Sequence, residues 1–281
     1  MIVFTALTIG FTIVFVALHY RRTMQINLTQ KRGIQQVVAV KQLISYIQQH
    51  RGLSSAWLNG DESKQANLTQ LKKQISLLKN ATTSQISASV KSRWEAFDDH
   101  WQRLQNTQNK TSALDNFQQH TKLIANLIYM LEDVAEFHDL NGSQLKPLPE
   151  IGLVWRELVL ATENIGQSRA IGTGAATSKK CSQVDKIRLA YLQQDIANTA
   201  ESVLHQLPLL DRSSNDYQQL TLAAKQKVSL LSETISNELI GGQVVNIDQT
   251  VYFNLATAAM DSLNQIFEYQ INQVKQVLKL A

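Results

Sequence analysis

The sequence is poor in the residues that break or cross-link secondary structure. Its 281 residues include one cysteine, three prolines and eleven glycines. The single cysteine, Cys181, excludes an intramolecular disulfide and a cysteine-based metal cluster. The few prolines and glycines, with a hydrophobic content of 44%, favour long helices around a real core over a sheet protein with many turns. The composition therefore predicts an all-α protein.

The residue sets that are typical of enzymes are also missing from the sequence. No nucleophile, base and orienting acid occur as a set, and the six histidines show no metal-ligand spacing. The glycines of Gly172-Thr173-Gly174 lie in a helical context without a Gly-Lys-Ser/Thr ending, which makes a nucleotide loop improbable. We therefore expect no enzymatic activity, no metal and no cofactor.

The net charge of +4 comes from one end of the chain. Residues 1–40 contain Arg21, Arg22, Lys31 and Arg32 and no acidic residue, so the rest of the sequence is balanced. A basic cluster near one terminus of a neutral body fits a membrane surface better than a nucleic-acid footprint. We expect no nucleic-acid partner.

Residues 2–18 are uncharged and mostly apolar. About 17 helical residues just suffice to cross the hydrocarbon core of a bilayer. We therefore predict a single-pass anchor in the inner (cell) membrane, with residues 1–22 as the anchor and its basic flank. Because the positive charges follow the apolar segment, the body is expected in the cytoplasm, with a periplasmic body as the alternative.

Hydrophobic periodicity and turn signals divide the remaining sequence into two helical modules, residues 23–145 and 146–281. The boundary is placed at Asn141-Gly142 and the nearby pair Pro147 and Pro149. Each module has about four helices. The expected helices are 26–58, 62–80, one through Trp94 and Leu104, 112–139, 149–178, 183–206, 214–240 and 249–279.

Two arginines lie on apolar helix seams, one in each module. Arg51 follows Ile44 and Ile47 at steps of three and four, and Arg169 follows Ile165 in the same way. A buried guanidinium is costly unless a carboxylate or a bound anion completes it. These positions indicate either buried ion pairs or an anion-binding pocket.

The segments around the two arginines resemble a known family. His50-Arg51-Gly52-Leu53-Ser54-Ser55 resembles the Glu-Arg-Gly-Leu-Ser signature of the nitrate- and nitrite-sensing (NIT) domain, and Glu163-x-x-Gly166-Gln167-x-Arg169-Ala170 is similar to its second signature. The resemblance implies two linked antiparallel four-helix bundles, with nitrate or nitrite bound between helices by arginines. With the anchor predicted above, the expected fold is an N-terminal transmembrane helix followed by these two bundles. The chain departs from the pattern at His50, where the family usually has Glu, and in having no arginine after Arg212.

The resemblance and the chemistry of the motifs together define a predicted ligand site. A guanidinium offers two parallel N–H donors that match two oxygens of a planar anion, small residues allow close helix approach, and hydroxyls add hydrogen bonds. The predicted ligand-binding residues are Arg51, Arg169, Gly52, Ser54, Ser55, Gly166, Ser168 and Gly172. The predicted function is sensing of a small anion, with a separate signalling protein as partner and a homodimer as a possible assembly.

The alternative is a ligand-free helical scaffold at the membrane. In that case each arginine would form a structural ion pair with an acid on a neighbouring helix. The acids considered are Glu132, Asp133, Glu136 and Glu163. A cavity shared by both arginines without carboxylates would favour the sensor, whereas arginines saturated by acids would favour the scaffold.

Overall fold

The computed structural model describes residues 2–107, 111–207 and 215–280, without the side chains of residues 2–12, 23 and 201. Every regular element in these ranges is helical, which confirms the all-α prediction. The eight α-helices are α1 (Ile2–Leu58), α2 (Gln65–Thr83), α3 (Lys91–Thr107), α4 (Ala113–Phe137), α5 (Val159–Ser178), α6 (Gln183–Gln206), α7 (Asn215–Thr234) and α8 (Gln249–Val277). Short π-helical turns, Val154–Leu158 and Ile235–Ile240, precede α5 and follow α7.

Local capping explains several of the helix ends. Gly60, with φ of 99°, takes the left-handed conformation that stops α1, as its sequence predicts. The Ser112 hydroxyl accepts the Asp115 N–H at 3.0 Å at the start of α4. At the start of α8, Asp248 accepts N–H groups from Thr250 and Val251. These side chains accept hydrogen bonds from backbone N–H groups that would otherwise lack a partner.

The fifth helical segment starts later than its sequence predicts. The sequence predicts Pro149 and Glu150 in its first turn, but residues 149–151 form turns and the helix begins at residue 152. Backbone hydrogen bonds from Ile151 to Leu148 and from Val154 to Ile151 hold these turns. These turns occupy the residues that would otherwise have formed the first turn of the helix.

The helices pack as two groups of four, α1 to α4 and α5 to α8, which we call the first and second bundles. The aromatic stripe of α3 faces the core of the first bundle, with Trp94, Phe97 and Trp101 buried. The core of the second bundle is lined by α5 and α8, where Tyr252, Leu263 and Phe267 are buried. Burial of these large apolar side chains supplies the main favourable free energy of folding.

The two bundles contact each other along α1, α4, α5 and α8. Trp155 donates its indole N–H to the Leu140 carbonyl at 2.7 Å and so joins the start of the second bundle to the connection after α4. Lys41 on α1 donates to the Asn264 side chain on α8 at 2.8 Å. The interface therefore carries polar contacts as well as apolar packing, and it contains both signature segments.

In the part of the chain whose side chains are described, no helix is long and apolar enough to cross a membrane. Most of the predicted anchor at residues 2–18 lies outside that part.

Candidate functional site

Arg51 is buried at the interface between the bundles and forms an ion pair across it. Its Nη1 and Nη2 atoms donate to Oε1 and Oε2 of Glu163 on α5, at 2.6 and 3.1 Å. Nη1 also donates to the Thr121 hydroxyl at 3.2 Å, and Gln48 donates to Glu163 Oε2 at 2.9 Å. Of the four acidic residues that the sequence offers as partners, Glu163 is the one that forms an ion pair with Arg51. Two parallel hydrogen bonds between planar groups form the strongest type of side-chain ion pair.

Arg169 on α5 has different interaction partners from Arg51. Its Nη1 donates to the Thr257 hydroxyl at 2.9 Å, and its guanidinium carbon lies 4.9 Å from the centre of the Phe253 ring, both on α8. No carboxylate of the described residues forms an ion pair with Arg169. Burial, followed by the nearby charge of Arg51, lowers the pKa of Arg169. The charges of Asp261 and Glu163 act to raise this pKa, but neither carboxylate pairs with the guanidinium, whose direct partners are neutral groups.

Both arginines line one cavity of about 980 Å³ between α1, α5 and α8. Two further charged residues on its wall, Asp61 and Lys64, form an exposed ion pair. In this pair Lys64 Nζ lies 3.3 Å from Asp61 Oδ2. Arg51 is paired with Glu163 and Lys64 with Asp61, so Arg169 is the charged residue of this wall that has no directly paired carboxylate in the described part of the chain. The arrangement suits a ligand with a single negative charge.

Three of the other predicted site residues also line this cavity. Gly52, Ser55 and Gly166 lie on its wall. A methyl group on Gly166 would come within 2.9 Å of Arg51 Nη2, so the glycine gives the guanidinium the space it occupies. The Ser55 hydroxyl accepts a hydrogen bond from the Asn116 amide at 3.1 Å.

Three predicted site residues lie away from the cavity wall. The Ser54 hydroxyl donates to the Arg51 carbonyl at 3.2 Å, and the Ser168 hydroxyl donates to the Ile165 carbonyl at 2.9 Å. Gly172 packs against Tyr252, whose ring atoms would lie 2.3 Å from an added Cβ. Tyr252 then donates its hydroxyl to the Ser168 carbonyl. In these places the small residues serve helix packing, which is the alternative role of such residues.

Comparison with known proteins decides the family. The family model described as nitrate and nitrite sensing matches residues 42–275. The chain belongs to the nitrate and nitrite sensing family. A solved structure of the NasR transcription antiterminator resembles it with a TM-score of 0.57 at 13% sequence identity, covering 95% of this chain and 74% of that chain. No curated protein matches. The resemblance drawn from the two arginine segments is therefore confirmed, and the NasR structure shows a similar fold.

In this member of the nitrate and nitrite sensing family, a buried histidine pair lies directly beside the first signature arginine. His50 Nδ1 and His120 Nε2 are 2.8 Å apart, and His120 Nδ1 lies 2.7 Å from the Asn116 carbonyl. A carbonyl only accepts, so His120 Nδ1 carries a proton, and in the neutral pair His50 donates to His120 Nε2. Trp101 packs edge-on against the His50 ring. The departure at His50 therefore places a second imidazole where it can pair with His120.

Several residues around the two arginines carried no signal in the sequence. Phe253 and Thr257 follow Arg169 by more than eighty residues and lie on a helix with an ordinary apolar seam. Phe117, whose ring centre lies 5.4 Å from the Arg51 guanidinium carbon, is also remote in sequence. Gln48 is the exception, because it precedes Arg51 by one helical turn and a polar residue there is a usable signal.

Proposed function

We propose that this protein senses a small planar anion, nitrate or nitrite in the first place, bound at Arg169 in the cavity between the two bundles. The observation that carries the proposal is the guanidinium of Arg169 on the cavity wall, which has no directly paired carboxylate among the described residues. Membership of the nitrate and nitrite sensing family supports this choice of ligand. Ligand binding would change how the two bundles pack, and that change would be transmitted to a separate signalling protein.

The surroundings of Arg169 support binding of a planar monoanion. A guanidinium has five N–H donors in a fixed plane, and Thr257 accepts from one of them. The Phe253 ring, 41% exposed, lies over the guanidinium and restricts approach from that face. An anion bound in the plane of the guanidinium can accept two parallel N–H groups, which a lysine cannot supply.

The ligand-free scaffold is the second candidate, and one observation favours it. Arg51 is saturated by Glu163, as expected for a structural ion pair. Arg169 distinguishes the two functions, because a scaffold has no need for a half-buried cation without a carboxylate. An assay that depends on Arg169 therefore separates the sensor from the scaffold.

Thermal unfolding with added anions tests the proposal. We expect nitrate or nitrite to raise the melting temperature more than chloride or sulfate at matched ionic strength. A ligand at about 100 times its Kd stabilises the native state by about 2.7 kcal/mol. Arg169→Ala should remove the selective rise, and Arg169→Lys should weaken it by removing the planar pair of donors. Arg156→Ala, at an exposed arginine outside the cavity, is the control.

Two results would contradict the sensor. Equal stabilisation by all four anions would show that the cavity does not select a planar monoanion. An unchanged response to nitrate in Arg169→Ala would place binding elsewhere. Either result would leave the scaffold as the better account.

The membrane anchor at residues 2–18 is also part of the proposal. The side chains of Ile13, Phe15 and Leu18, in the N-terminal part of α1, are more than half exposed. We expect the full chain to sediment with membranes and to resist a carbonate wash, and we expect deletion of residues 2–18 to release it. A reporter fused after Ala281 should be active in the cytoplasm. Activity of a periplasm-only reporter would reverse this topology, and release of the full chain by carbonate would exclude the anchor.

A further inference from the structure

Glu163 occupies a special position in the charge arrangement of the site. Its carboxylate is buried, it is held by both Nη atoms of Arg51, and it accepts a further hydrogen bond from Gln48. Arg51 itself lines the cavity, whereas Glu163 lies behind it. The acid therefore cancels a positive charge on the cavity wall without occupying the cavity.

The two signature arginines are close enough to act on each other. Burial lowers the pKa of Arg169 most, the charge of Arg51 lowers it further, and the charges of Asp261 and then Glu163 act in the opposite direction. Gly166, one turn before Arg169 on α5, contacts the Arg51 guanidinium. An anion bound at Arg169 therefore experiences the summed field of Arg51 and Glu163, in a place where burial limits screening by salt.

We propose that Glu163 determines the charge selectivity of the site by neutralising Arg51, so that the cavity accepts monovalent anions and discriminates against divalent ones. This inference rests on the proposed function. With the carboxylate present, Arg169 supplies one unbalanced positive charge, which a monoanion compensates. Without the carboxylate, the two arginines supply two positive charges, which a dianion compensates better.

The isosteric change Glu163→Gln gives a quantitative expectation. It keeps an oxygen that can accept from Arg51 and removes one negative charge. The interaction energy of the added field is proportional to the charge of the ligand, so a dianion gains twice the free energy of a monoanion. We expect nitrate affinity to rise about tenfold and sulfate affinity about a hundredfold, measured by calorimetry at constant ionic strength.

Two control variants separate this role from a purely structural one. Asp61→Asn removes the same formal charge from the cavity wall at an exposed position, where screening by water and salt should keep the change in affinity to about threefold or less. The double variant Arg51→Met/Glu163→Met removes both charges of the buried pair and leaves the balance of the cavity unchanged. We expect it to keep the preference of the wild type for nitrate over sulfate.

The outcomes are distinct. A ratio of sulfate to nitrate affinity that stays unchanged in Glu163→Gln would overturn the inference while leaving anion sensing intact. Should Glu163→Gln fail to fold, the double variant decides, because a changed preference there would show that Arg51 contacts the anion directly. A wild-type protein that does not bind nitrate would instead contradict the proposed function.

Discussion

Arg51→Ala is expected to lower the free energy of unfolding by about 3–5 kcal/mol. The change leaves the Glu163 carboxylate buried at the interface, with the Gln48 amide as its remaining hydrogen-bond partner among the described residues. An uncompensated charge in a low-dielectric environment costs far more than the net stabilisation that the intact pair provides. Urea denaturation followed by circular dichroism measures the loss.

The double variant Arg51→Met/Glu163→Met is the matched control for this prediction. Apolar side chains of similar volume can replace a buried ion pair with little loss of stability, because both desolvation costs disappear together. We expect its unfolding midpoint to lie close to that of the wild type. A loss of less than about 1 kcal/mol in Arg51→Ala would show that the interface relaxes and solvates Glu163.

Mild acid is expected to destabilise the protein through the pair His50 and His120. Burial lowers the pKa of His120 to about 3, and burial together with the neighbouring His120 lowers the pKa of His50 well below its usual value. An unfolded chain takes up a proton on each imidazole near pH 6.5, whereas the folded chain keeps the pair neutral. The stabilisation is therefore complete above pH 6.5 and is lost as the pH falls from there towards 3.

The size of this effect follows from the pH range in which the unfolded chain takes up protons and the folded chain does not. Between pH 6.5 and pH 5, His120 alone accounts for about 2 kcal/mol of lost stability. Urea denaturation at pH 7 and pH 5 measures the difference, and His120→Gln should reduce it. His205→Gln, at an exposed histidine, should leave it unchanged. An equal loss between the two pH values in wild type and His120→Gln would assign the acid sensitivity to other groups.

Several helix ends follow from local sequence, because a capping side chain lies within a turn of the boundary. Ser182 and Asp248 cap α6 and α8 at the residues where the sequence predicts these helices to start. The start of the fifth helical segment could not be found in this way. Pro149 is compatible with a helix start, but the backbone there also meets Gly142, where an added Cβ would lie 1.8 Å from the Pro149 carbonyl oxygen. That contact comes from the folding of the connection and leaves no local pattern.

The site shows the same division between local and tertiary information. The periodicity of α1 and α5 places Arg51 and Arg169 on inward faces, because helical spacing is a local property. Sequence could not choose Glu163 among four candidate acids, since the choice depends on how two helices are aligned lengthwise. For Gly172 the sequence indicates the residue but does not indicate its role. A glycine beside a signature arginine has the same appearance whether it admits a ligand or, as here, the ring of Tyr252.

The length of α1 gives the site a mechanical property. The helix has 57 residues without a proline, so it is about 85 Å long and has no common cause for a sharp kink. It presses against His138 at Gly33, which lies about 27 Å from Arg51 and about 30 Å from Ile13 along the axis. Were α1 to tilt as a rigid body about that contact, Arg51 and Ile13 would lie at nearly equal distances on either side of it. A sideways movement of one ångström at Arg51 would therefore arrive at Ile13 as a movement of about the same size in the opposite direction.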